Sequence, residues 1–185
     1  MSAAADGVVH YVLFTWMPSY LSTQRGLPSV TTGTYLYALI FGSLAGYVSA
    51  GYVNDAIGRR ATFVLFAVCS AIVVPIYHAE VHAAWQLFPA GFVLGYFASG
   101  IFSGFGPFLS ELYPTSVRAS AQGFCYNVGR GIAGAAPYVV GVLAARLPIG
   151  SAMIGVAIVA YAVAAACALA LPETKGRALE RPSTA

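Results

Sequence analysis

The sequence predicts an all-α, polytopic membrane protein of six transmembrane helices. Three observations carry that prediction: charge is scarce, it is confined to short intervals, and the stretches between those intervals have the length of a bilayer. Of 185 residues only 8% are charged and 59% are hydrophobic, with a mean hydropathy of +0.77. An ordinary soluble domain carries about 25% charged residues. A water-soluble fold of this size could not cover its surface with so few. The uncharged runs are 26–54, 61–79, 81–110 and 147–172. Each is long enough for the helix of about 20 residues that crosses roughly 30 Å of hydrocarbon.

Each helix has its own justification. The stretch from Val8 to Gln24 is short and contains Pro18, but it is aromatic and uncharged, so it is read as the first. The second, third, fourth and sixth fill the four uncharged runs. The fifth occupies 119–145, interrupted by the single charge of Arg130. The expected spans are about 8–24, 33–53, 61–78, 85–110, 117–144 and 149–171, giving a transmembrane domain of residues 1–171 and a tail of 172–185. "MSAAADG" has no basic n-region, so no cleavable signal peptide is expected.

The basic residues orient these helices. Arg59, Arg60, Arg118, Lys175, Arg177 and Arg181 fall on one side, against Arg25 and Arg146 on the other. The positive-inside rule makes the first side cytoplasmic and puts both termini there. A plasma membrane is implied, the inner membrane in a bacterium. The net charge of +3 collects at helix ends and suggests no nucleic-acid partner. The partner it does imply is the lipid bilayer.

Several function classes drop out. No Ser/His/Asp grouping, phosphate-cradling glycine loop or redox cysteine pair is present, which argues against an enzyme or an ATP-driven pump. Cys69, Cys125 and Cys167 lie inside spans without metal-ligand spacing and are expected to be small packing residues. "HAEVH", with His78 and His82 around Glu80, reads as a solvated outer loop rather than a metal site. His10 is expected near the inner end of the first helix. Neither a metal nor a cofactor is implied.

Two features point to chemistry. The first is "GYVNDAIGRR" (51–60), where Asp55, Arg59 and Arg60 interrupt a long uncharged stretch between Gly51 and the following helix. The arginines anchor a turn in the anionic inner interface. Asp55 needs a cation or a helix N-terminus as partner, and Gly51 and Gly58 suggest close helix approach and a tight turn. The second feature is Arg130. It lies 12 residues beyond Arg118, about 18 Å along a helix. An arginine at that depth costs at least about 2.5 kcal/mol, so it should face a wet cavity or a carboxylate. Two readings stay open: a guanidinium fork on an anionic substrate, or a structural ion pair with an acid elsewhere.

Around Arg130 the expected site is built from neighbours. Asn127 lies one turn earlier on the same face, with Tyr126 and Tyr138 farther round. Pro137 and glycines 129, 131 and 134 make the helix bendable. Trp16 and Tyr20 could stack on a substrate or belong to the interfacial aromatic belt. Gly42/Gly46, Gly91/Gly95 and Gly100/Gly104 have the small-xxx-small spacing that packs helices. No uncharged span holds Asp or Glu, so a proton-coupling carboxylate is expected outside this half, apart from the interfacial acids, and the histidines are not expected to replace it.

The frame Gly51-x3-Asp55-x2-Gly58-Arg59-Arg60 resembles the cytoplasmic loop signature of the major facilitator superfamily. "FTWMPSYL" (14–21) is similar to the start of that family's seventh helix, "ELYPTSVR" (111–118) to the link between its tenth and eleventh, and "GRGIAGAAP" (129–137) to the eleventh helix of its organic-acid proton symporters. "PETKG" (172–176) is similar to the sugar-porter ending. The resemblance implies two three-helix units of inverted topology and a matching N-terminal six-helix half as partner. It implies a secondary transporter, with symport of a small organic anion and a proton; Arg130, Asn127, Trp16, Tyr20 and Tyr126 would be its substrate-binding residues. It also implies a salt-bridge lock among Asp55, Arg59, Arg60, Glu111, Arg118 and Glu173. A sugar or polyol porter stays open because of "PETKG". So does a non-transporting remnant or membrane scaffold.

Overall fold

A computed structural model of the chain describes residues 7–8, 10–23, 26, 29–80 and 84–170, leaving aside the side chains of 13, 14, 29–32, 80 and 84. Among these no strand occurs, and six helical paths alternate in direction. Helix α1 consists of a π-helical turn, Val12–Trp16, continued by Met17–Thr23. Helices α2 (Ser29–Ile57) and α3 (Arg59–Glu80) follow. Helix α4 runs from Ala84–Gly100 through a 3₁₀ turn, Ile101–Gly104, into Phe105–Leu112. Helix α5 has two segments, Arg118–Ala133 and Ala136–Ala144, and α6 is Ile149–Ala170. Because α1 and α4 run oppositely, α1–α3 and α4–α6 form two three-helix units of inverted topology.

Prolines explain the irregular turns. A proline lacks an N–H and its ring presses on the carbonyl four residues earlier. Pro18 therefore follows the widened turn at Val12–Trp16, Pro107 follows the tightened turn at Ile101–Gly104, and Pro137 follows the break at Gly134–Ala135. Such distortions upstream of proline are the usual cause of kinks.

Four paths are long and apolar enough to cross a membrane: Gly33–Ile57, Arg59–Ala79, Trp85–Leu112 and Ile149–Ala170. Among the described residues the first and fifth do not meet that criterion, α1 being short and α5 being divided into Arg118–Ala133 and Ala136–Ala144. The exterior matches a hydrocarbon solvent. Tyr37, Phe41, Leu44, Val48 and Tyr52 form one outward face of α2, and Phe124, Ile132 and Tyr138 project from α5. Hydrocarbon tolerates such a surface, provided the backbone bonds itself as helix.

Small residues set the tightest packing. A Cβ added to Gly42 would overlap the Phe92 carbonyl, one on Gly46 the Tyr96 carbonyl, and one on Gly95 the Leu39 carbonyl. Helices α2 and α4 thus meet backbone to backbone, as small-xxx-small spacing allows. Ser99 Oγ donates to Ser43 Oγ at 2.8 Å and ties the same crossing. Gly100 and Gly104 accept the rings of Phe66 and Phe63 from α3. On the other flank α3 lies along α6, whose buried residues include Ala152, Ala157, Ala160, Ala164 and Ala168.

Candidate functional site

The polar cavity forms where α1 meets α5. A Cβ on Gly7 would stand 2.7 Å from the Ala133 Cβ. Ala133 lies 15 residues beyond Arg118, about 22 Å along α5. The helical residues that lead into α1, from Gly7, therefore sit near the depth of Arg130. This corrects the expected position of His10, which lies in the cavity wall and not at the inner end. The cavity holds about 170 Å³ and is lined by Gly7, His10, Tyr11, Tyr47, Phe102, Phe105, Tyr126 and Arg130. It adjoins a second space of about 400 Å³, which shares Tyr47, Phe102, Phe105 and Tyr126 and extends to Gln122 and Gly123.

Arg130 projects into this space with an exposed side chain. Its Nη1 donates to the Tyr126 hydroxyl at 3.0 Å and its Nη2 to the Tyr11 hydroxyl at 3.3 Å. The guanidinium carbon lies 5.5 Å from the Tyr126 ring centre and 6.0 Å from that of Tyr11, within cation–π range. No ion pair to Arg130 occurs among the described residues. Both phenol oxygens accept from the guanidinium, so both phenol protons are directed elsewhere. The group is a cation flanked by two further donors, a pattern suited to carboxylate oxygens.

The other expected site residues separate. Asn127 turns back on its own helix, donating from Nδ2 to the Gly123 carbonyl at 2.7 Å, and does not line the cavity. Trp16 donates from Nε1 to the Pro137 carbonyl at 3.2 Å, and its ring lies over Gly141. It bridges α1 to α5 just past the break. Tyr20 is 3% exposed, and its hydroxyl pairs with His78 Nδ1 at 3.1 Å. A Cβ on Gly150 would collide with both rings. His78 therefore belongs to the last turn of α3 and an inter-helix contact, not to a solvated loop, while His82 lies outside the described residues. Tyr126 has the i, i+4 spacing to Arg130 that signals a helical neighbour. Tyr11, His10, Tyr47 and Phe102 carry no such signal, being far from Arg130 in sequence.

A second charged group occupies the turn between α2 and α3. Gly58 adopts φ +98°, a left-handed conformation that other residues rarely reach. Its N–H caps α2 on the Asn54 carbonyl at 3.1 Å, while the Thr62 hydroxyl returns to the Gly58 carbonyl at 2.8 Å. That turn aims Arg59 at two acids. Nη1 donates to Asp55 at 2.8 Å and to the Asn54 carbonyl at 2.9 Å, and Nη2 donates to Glu111 at the end of α4 at 2.9 Å. The Arg59 and Glu111 side chains are only 12% and 11% exposed, against 75% for Asp55. The Glu111 bond is therefore the stronger link, because exposed pairs contribute little. Gly51 has room for a Cβ, the nearest atom being Ser103 Oγ at 3.6 Å. Close approach does not require glycine there. Arg118 starts α5, with its Nε buried and unbonded, and Arg60 is exposed on α3. Glu173 and "PETKG" lie outside the described residues.

Among the described residues, helices that alternate in direction, an apolar exterior and a cationic cavity define a multi-pass membrane protein. The profile of the Major Facilitator Superfamily matches residues 1–184, and the chain belongs to that family. It is 38% identical over 170 residues to a probable 4-methylmuconolactone transporter of Cupriavidus pinatubonensis, covering 92% of this chain and 40% of that protein. It is 33% identical over 171 residues to a putative metabolite transport protein of Haemophilus influenzae, covering 92% and 42%. Against a cis,cis-muconate transport protein of Acinetobacter baylyi it is 32% identical over 144 residues, covering 76% and 34%. The chain thus spans about two fifths or less of the length of these relatives.

Proposed function

We propose that these six helices form one wall of a secondary transporter that takes up a small organic anion together with a proton. The opposite wall is a matching six-helix half. The observation that carries this reading is the Arg130 guanidinium, which opens into a cavity with two phenols as its partners. An ionisable side chain at membrane depth that faces a cavity is by default a substrate or ion contact. The muconolactone and muconate named for two relatives are consistent with an organic acid as substrate. The test is uptake into liposomes under an inward proton gradient. Joined to a matching half, the chain should accumulate labelled muconate and not a labelled hexose; alone it should accumulate neither. Hexose accumulation would instead establish the sugar-porter reading, and concentrative muconate uptake by the chain alone would remove the need for a partner.

The orientation and the lock belong to the same proposal. Six Lys/Arg against two put the Asp55–Arg59 turn and both termini on the cytoplasmic side. Arg59 then joins α2, α3 and α4 at the inner end, and breaking that junction would accompany inward opening. A single cysteine at Ala56, in a Cys-free background, should react only from the cytoplasmic side. Glu111→Gln should raise its rate about three- to tenfold by releasing Arg59, a loss of about 1 kcal/mol. Labelling from outside would refute the orientation, and an unchanged rate would refute the lock.

A further inference from the structure

The cavity that holds Arg130 contains another ionisable side chain, and the transport reading leaves it without a task. His10 lines the same 170 Å³ as Arg130. Its ring stands edge-on to Phe102 of α4, with centroids 5.8 Å apart, and close to Tyr11 on its own helix. Among the described residues, the titratable or charged groups lining this cavity with His10 are Tyr47 from α2, Tyr126 and Arg130 from α5, and Tyr11, while α4 contributes Phe102 and Phe105. Among the described residues the acids lie at helix ends, Asp55 and Glu80 closing α2 and α3 and Glu111 closing α4. Among the described residues lining the cavity, His10 carries the side chain that gains and loses a proton most readily at physiological pH.

We propose that His10 is the proton-binding site of this half and that its occupancy is linked to the anion on Arg130. The inference rests on the transport reading and assigns its coupling group. With no anion bound, a protonated imidazole and the guanidinium would share the cavity as like charges in opposition. A carboxylate on Arg130 cancels that opposition, and an imidazole nitrogen takes up one proton. No other bond forms or breaks. For a monocarboxylate, anion and proton then cross as a neutral pair. On the inner side the anion leaves, the imidazolium again faces a bare guanidinium, and the proton is released. Linkage is reciprocal, so the proton must strengthen anion binding by the same factor that the anion strengthens proton binding. Across so small a cavity that factor is on the order of tenfold.

The experiment uses the chain joined to its matching half, with cis,cis-muconate as probe. In the wild type, the KM for muconate counterflow should rise about tenfold as pH increases from 5.5 to 7.5, and a pH indicator should record proton uptake on binding. His10→Gln should still exchange muconate, at all pH values with the weaker KM that the wild type shows at high pH. It should not accumulate muconate under a proton gradient. Arg130→Lys should impair exchange itself, which separates the two roles. Wild-type accumulation with an intact pH slope in His10→Gln would overturn the proposal. If His10→Gln does not reach the membrane, His10→Asn takes its place, and binding without proton uptake by the wild type would also overturn the proposal. Absence of counterflow in the wild type would overturn the transport reading first.

Discussion

Arg130→Lys in the assembled transporter is expected to lower the efficiency of organic-anion uptake about 30- to 160-fold, the equivalent of about 2–3 kcal/mol at 1.36 kcal/mol per decade. The charge survives this change but the planar fork does not. Lysine places a single strongly hydrated ammonium where the arginine spans the Tyr126 and Tyr11 hydroxyls at 3.0 and 3.3 Å. The side chain is exposed to the cavity, so the variant should insert and pack normally. Initial rates of muconate uptake, normalised to protein in the membrane, measure the effect. Near-normal uptake would reduce Arg130 to a structural cation.

Gly95→Val is expected to act on the fold. The valine Cβ would enter the Leu39 carbonyl, and backbone cannot step aside as a flexible side chain does. Helices α2 and α4 would have to part along the crossing that also holds Gly42, Gly46 and the Ser43–Ser99 bond. Overpacking a close-packed interior costs about 1–3 kcal/mol, and rigid backbone puts this site at the upper end or beyond. Most of the monodisperse protein extracted in detergent should be lost. Gly155→Ala is the control, since nothing lies within 4 Å of a Cβ there. Equal yields of the two variants would show that α2 and α4 do not pack through their glycines.

How much of this was legible in the sequence depended on the kind of information. The glycine pairs announced close packing by spacing alone, but nothing local says that Gly42 and Gly46 meet Phe92 and Tyr96. Asp55 announced its need for a cation and found it four residues on, within reach of a helical turn. Glu111, 52 residues away, could be grouped with Arg59 only by resemblance to a family motif. Tyr126 was within reach of the i, i+4 rule, yet by sequence Asn127 was placed on Arg130's face and Tyr126 farther round, whereas the Asn127 amide turns onto Gly123 and Tyr126 meets the guanidinium. His10 was misplaced because depth was counted from the end of its own helix, whereas α1 meets α5 near Ala133.

The sequence by itself determined which stretches are long and apolar enough to cross a membrane, and where most of the charge gathers between them. Hydration is the reason: each residue carries its own cost of leaving water, and that cost does not depend on which helices become neighbours. Tertiary structure alone decided which side chains share a cavity. Tyr11 reaches Arg130 across 119 residues and Trp16 reaches Pro137 across 121. Such contacts depend on the angle and depth at which helices cross, and backbone-level contact at a few glycines and distortions around three prolines set both.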